Sequence, residues 1–322
     1  MPEYIAEAYT PDHKKEWDDL VAASRNGTFL LLRDYMDYHS DRFKDCSLMI
    51  RQCRSGRAVG LLPACRMGEE DVCSHAGLTY GGLVLPMHGS DGASVLGMFR
   101  TILDHYRGEG IRSLRYKAIP HIYHRYPSEE DIYALFRCGA TIAECNISST
   151  IDLTAPLRFN ENARRNLRRA AGAGIMVVET QDLAPFWEIL SRVLAGKYNT
   201  RPVHTLEEME LLRSRFPQNI RLFTAKNTSG ATIGGTLLYY TGSCVHAQYI
   251  ASSEEGRSQG ALPAVFHHII SGECTGARFF DFGICNEDHG LYLNEGLLGQ
   301  KNGMGGRATV YNIYNIDLTK SI

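Results

Sequence analysis

The segment Ser252–Pro263 reads Ser-Ser-Glu-Glu-Gly-Arg-Ser-Gln-Gly-Ala-Leu-Pro and joins an apolar strand pattern to a helical one. Gly256 and Gly260 let main chain approach a ligand closely. The helix is predicted to begin near Gly260–Ala261, with Pro263 in its first turn, where a missing N–H does no harm. Unpaired N–H groups at such a helix start form an anion site; the bland alternative is a plain strand–helix turn. Ser252, Ser253, Arg257, Gly260 and Ala261 are therefore the candidate phosphate-binding residues. Arg158, Arg164, Arg165, Arg168 and Arg169 place five guanidinium groups close together. Four of them share one helix face, and Arg forks match phosphate oxygens. No Glu follows four residues later to neutralise them. The face suits a diphosphate or an RNA backbone, or it is a solvated basic face.

Four further residues carry acid–base chemistry. Asp281, in Phe-Phe-Asp-Phe-Gly, points opposite to Phe280 and Phe282 on a strand. It suits receipt of an amine proton, or acceptance of main-chain N–H groups. His204 borders a helix entrance capped by Thr205 and titrates near neutral pH, as a base or as a structural residue. The polar, Gly-punctuated stretch Cys285–Gly296 follows a strand end, where sites often form. Tyr292 and Asn294 lie in it, Lys301 lies just beyond, and Tyr249 lies on the strand before the phosphate loop. Arg164, Arg165, Arg168, Tyr198, Tyr292 and Asn294 form the expected acceptor-binding set. Twelve histidines without an HxH or HExxH pattern make a catalytic metal unexpected.

The elements that position these residues occur twice. Ser47–Ala64 reads strand, Ser55-Gly56 turn, strand; Arg221–Leu238 reads the same around Ser229-Gly230. Gly56 and Gly60 recur as Gly230 and Gly234, each displaced by 174 residues. An uncharged strand region follows each hairpin, His75–Leu85 and Val245–Ala251. A helical pattern follows, Ala93–Arg107 and Ala261–Ile270, and then a strand, Ser113–Ile119 and Arg278–Ile284. The predicted units are 1–153 and 154–322, with Thr154-Ala155-Pro156 as the linker.

Composition sets outer bounds. Lys plus Arg is 34 against 36 for Asp plus Glu, so the net charge of −2 excludes a generally basic nucleic-acid coat. At 44% apolar and 22% charged residues, 322 residues bury a sizeable core. The start Met1-Pro2-Glu3-Tyr4 has no signal-peptide character. The uncharged run Asn227–Ser253 is broken by glycines and reads as paired strands, so membrane insertion is not expected. Nine cysteines without a CxxC read as reduced thiols of a cytoplasmic protein.

Hairpin, strand, loop, helix, strand resembles the order of elements in the Gcn5-related N-acetyltransferase (GNAT) fold. Asn162–Val178, Tyr249–Ala261, Phe280–Gly283 and Leu293–Gly306 together resemble the FemAB-like branch of tandem-GNAT transferases of Bacteroides-type bacteria. The resemblance implies an α/β fold of mixed sheets, two tandem GNAT-like units with a cleft between them, and an acyltransferase. It implies acetyl-CoA or another acyl-CoA as co-substrate, on the loop Arg257–Leu262. Leu262 stands where the family loop has a small residue. The resemblance implies that Lys301 acts at the reacting centre and that Tyr249 protonates the leaving thiolate. The expected reaction is direct attack of an amine, on a small molecule, a nucleotide-linked precursor or a cell-envelope precursor, with no covalent intermediate. Aminoacyl-tRNA-dependent peptidyltransfer is the alternative. It is disfavoured because no long, charged helical arm is present. A non-catalytic binding module is the third reading.

Overall fold

The computed structural model describes residues 3–320, apart from the side chain of Tyr198. From the N-terminus run β1 (Tyr4–Ala8), α1 (Lys14–Ala23), the single turn α2 (Arg33–Met36), β2 (Leu48–Gln52), β3 (Ala58–Leu62), β4 (Cys65–Arg66), β5 (Asp71–Cys73), α3 (Gly92–Gly108), β6 (Ser113–Lys117), α4 (Glu130–Arg137) and β7 (Thr141–Asp152). Then follow α5 (Glu161–Gly172), β8 (Met176–Thr180), α6 (Ala184–Tyr198), α7 (Leu206–Arg215), β9 (Ile220–Lys226), β10 (Thr232–Tyr240), β11 (Cys244–Ser252), α8 (Glu254–Gln259), α9 (Ala261–His268), β12 (Phe279–Ile284), β13 (Asn286–Glu287), β14 (Tyr292–Leu293), α10 (Glu295–Gly303) and β15 (Arg307–Asp317). The duplication runs further than the hairpins. The order β1, α1, β2, β3, β5, α3, β6, α4, β7 returns as β8, α6, β9, β10, β11, α9, β12, α10, β15.

Two compact units result: Met1–Asn146 with His289–Leu291 and Val310–Ile322, and Ile147–Asp288 with Tyr292–Thr309. In the first, β1–β2–β3 form an antiparallel sheet, while β5 runs parallel to β6. The other neighbour of β6 is the end of β15, paired from Ile313↔Lys117 to Asp317↔Ser113. Its core packs the apolar face of α3, including Met98, Phe99, Ile102 and Leu103, with Ile50, Leu62, Leu114, Tyr314 and Ile316. In the second unit the order is β7, β12, β11, β10, β9, β8, with β11 and β12 the parallel pair. Val265, Phe266 and Ile269 pack there on Phe223, Leu238, Val245 and Phe280.

The uncharged strand expected at His75–Leu85 does not form. β5 stops at Cys73, and the chain turns away through His75, which holds a left-handed φ of +60°. A side chain at Gly81 would begin 2.0 Å from the Ser74 carbonyl oxygen. The half-buried Lys117 ammonium gathers the carbonyls of His75, Ala76 and Leu78. Three inward carbonyls on one cation favour a compact loop over a ladder. The uncharged run Asn227–Ser253 becomes β10 and β11, as expected. All nine cysteines are thiols, with Cys53 and Cys145 exposed. Among the described residues no helix is long and apolar enough to cross a membrane.

Candidate active site

The site is built on the two parallel strands of the second unit. β11 and β12 pair at Cys244↔Phe279, Val245↔Phe280 and His246↔Asp281, and then part, while β11 runs on to Ser252. On its other edge, β11 pairs Ala247 with Leu238 and Tyr249 with Leu237, which leaves Gln248 as an extra residue. Such a bulge bends the strand and takes the extra residue out of the ladder. From Ala247 onward, one edge of β11 has no β12 partner.

At the end of that edge lies a cavity of ≈ 390 Å³. Ser252, Arg257, Gly260 and Ala261 line it, with Leu262, Asn160, Asn166 and Gln300. Ser253 lies beside it as the N-cap of α8, accepting from the Gly256 N–H. The expected loop thus contains a short helix, because Ser253 with Glu254 and Glu255 forms a good helix start. Gly260 ends α8 and begins α9 with φ +81°. The cavity therefore meets the N-terminal turns of both α9 and α5, whose Asn160 side chain caps Ala163 N–H. Two helix starts with spare N–H groups favour an anion.

Gly260 is a tight point of this arrangement. A Cβ there would lie 2.3 Å from the Asn166 carbonyl oxygen. Gly260→Ala should cost at least about 1–3 kcal/mol from left-handed backbone alone, and displace α5 from α9. Thermal unfolding of the variant checks this; an unchanged midpoint would refute the close approach.

A buried polar cluster sits where the strands part. Asp281 has no exposed surface. Its Oδ1 accepts from the hydroxyls of Ser148 and Thr150, and its Oδ2 lies 2.8 Å from His246 Nδ1. Lys301 on α10 is also buried, and its ammonium donates to the carbonyls of Gly283 (2.8 Å) and Ile284 (3.0 Å). Burial holds its pKa below the ordinary lysine value, with the Cys285 thiol and Asp281 opposing the shift. The ammonium thus braces the end of β12.

His204 and Tyr249, far apart in sequence, meet. The Tyr249 hydroxyl lies 2.6 Å from His204 Nδ1 and accepts the His204 main-chain N–H at 3.2 Å. Trp187 packs edge-on against the Tyr249 ring. Burial pushes the Tyr249 phenol up to about 12, so it keeps its proton at neutral pH.

The residues assigned to the acceptor are dispersed. Arg164 and Arg168 both pair with Glu161, at 2.8 Å each, and Arg165 donates to Asn162. The neutralising Glu stands three and seven residues before these arginines, not four after. None of the three lines the cavity. Asn294 caps α10 and Tyr292 is exposed on β14. The side chain of Tyr198 lies outside the described residues. Sequence reasoning missed His246, Ser148, Thr150, Asn160, Asn166 and Gln300. The signal for His246 was a polar residue inside an otherwise apolar central strand.

Residues 158–290 match the acetyltransferase (GNAT) domain family. No curated protein matches the chain. Among solved structures it is similar to FemX, at 13% identity and a TM-score of 0.68 over 97% of each chain. It is similar to L-PGS from Bacillus licheniformis, at 12% identity and a TM-score of 0.64 over 98% of this chain and 94% of that one. A tandem GNAT protein from the clavulanic acid biosynthesis pathway gives 14% identity and a TM-score of 0.53 over 99% of each. At these identities the likeness establishes the fold. Residues 158–290 thus match a GNAT acetyltransferase domain, and the chain has the tandem-GNAT, FemAB-like fold.

Proposed function

We propose that this protein transfers an acyl group from an acyl-CoA, acetyl-CoA being the simplest, to the amine of a small or cell-envelope precursor in the cytoplasm. The observation that carries this reading is the cavity at two helix N-termini, joined to a strand edge that has lost its neighbour. The phosphates of the donor would lie on Arg257, Asn160, Asn166, Gln300 and the first amides of α9. The acyl-bearing arm would lie along β11, whose six residues beyond His246 span roughly 20 Å. The bulge at Gln248 takes that residue out of the ladder, and a main-chain N–H freed there would stabilise the oxyanion. Tyr249, kept protonated by burial and held by His204, supplies the leaving thiolate with a proton.

Arg257 tests the donor site. Arg257 is exposed, and one nitrogen of its guanidinium already donates to the Ser252 carbonyl at 2.9 Å. Arg257→Ala should weaken coenzyme A binding by about 1.5–3 kcal/mol, the size of a hydrogen bond to a charged group. Calorimetric titration reads this directly. Unchanged affinity, or no binding to the native protein, would reject acyl-CoA. In that case transfer from charged tRNA, with affinity falling steeply in salt, would establish the peptidyltransfer alternative.

A further inference from the structure

We propose that His246 receives the proton of the attacking amine and that Asp281 is its positioning residue. This rests on the acyl-transfer reading and supplies the base which that reading leaves unnamed. His246 is the last residue at which β11 and β12 pair, directly opposite Asp281. It therefore stands where the unpaired edge of β11 begins. The carboxylate only accepts hydrogen bonds. Its Oδ1 is taken by Ser148 and Thr150 and its Oδ2 faces His246 Nδ1 at 2.8 Å, so Nδ1 carries the ring hydrogen and Nε2 the lone pair.

The ring has a second neighbour at Cε1, between its two nitrogens. Gly283 lies against it: a side chain there would begin 3.5 Å from His246 Cε1. The Gly283 carbonyl is in turn held by Lys301. A buried carboxylate at Nδ1 and a braced backbone beside Cε1 support the orientation of the imidazole. The ionisable groups around the dyad are Lys301 on α10, Cys285 after β12, and Cys244 on β11 itself.

In the step, the amine nitrogen bonds to the donor carbonyl carbon, and its proton moves to His246 Nε2. The bond from that carbon to the leaving group breaks, and the leaving group takes the Tyr249 proton. Solvent then removes the proton from His246 and restores the one on Tyr249. The ledger is one amine proton lost and one proton gained by the departing group.

The test compares native protein with His246→Gln, Asp281→Asn and Ser148→Ala in transfer from acetyl-CoA, together with imidazole 15N spectra. His246→Gln should lower kcat by roughly 10²- to 10⁴-fold and leave donor affinity within twofold. Ser148→Ala, the milder change, should lower kcat roughly fivefold, as for one lost hydrogen bond. The spectra should show the Nδ1–H tautomer at neutral pH in native protein and lose it in Asp281→Asn. A kcat within twofold of native for His246→Gln, or an Nε2–H tautomer, would overturn the proposal. Native protein that transfers from no acyl donor counts against the acyl-transfer reading instead; the tautomer measurement needs no turnover and then decides the dyad alone.

Discussion

A polypeptide of residues 1–153 will show no cooperative unfolding transition in urea. Its sequence holds the whole first copy of the repeat, yet it lacks the strand that completes the first compact unit. β6 pairs with the end of β15, and Tyr314, Ile316 and Leu318 are buried in the core beneath α3. Burial of each such side chain contributes about 1.5–3 kcal/mol. Three of them together rival the roughly 5–15 kcal/mol that holds a domain folded. Their removal also uncovers an apolar sheet edge that invites aggregation. In the full chain, Ile316→Ala should cost about 2–5 kcal/mol, which assigns the effect to this strand. A sigmoidal urea transition for 1–153 with native-like circular dichroism would refute the account.

Acid will weaken the first unit through two histidines, His75 buried and His124 half-buried, that the fold holds uncharged. Burial, followed by His39, Lys117 and Arg33 nearby, pushes His75 down to about 3; burial pushes His124 down to about 4. Both bind protons near pH 6.5 when unfolded. Their contribution to stability is therefore complete above about pH 6.5 and is lost as pH falls towards their folded values. By pH 4 the loss is on the order of 3 kcal/mol for each. Asp131 opposes them. Burial raises it to about 7, against the hydrogen bond from Tyr116, so its contribution is largest below about pH 4 and is lost as pH rises to 7. Urea unfolding from pH 7.5 to pH 4 should show a net fall in native protein. The fall should be steeper in Asp131→Asn and shallower in His75→Asn, chosen because Asn tolerates the left-handed backbone at that position. Equal slopes in native protein and His75→Asn would refute the assignment.

Both predictions rest on features with different visibility in the sequence. The duplication was legible because hairpins and helices are local: Ser55-Gly56 and Ser229-Gly230 mark turns, and α3 and α9 show apolar residues at helical spacing. The helix start at Gly260–Ala261 was legible for the same reason, since it is set by local sequence. Asp281 stood out as a lone acid on an apolar strand.

Tertiary structure decided the rest. An alternating pattern announces a strand and says nothing of its partner, so nothing local showed that β15 would complete the sheet around β6 and β7 the sheet around β12. The His246–Asp281 pair exists only through the register of two parallel strands whose residues lie 35 positions apart. Asn160, Asn166 and Gln300 reach the cavity because α5, α9 and α10 converge there. Lys301 was visible as a residue, and its carbonyl partners were not. An ammonium in a nearly dry interior must find acceptors, and which carbonyls it meets is set by how α10 packs on β12.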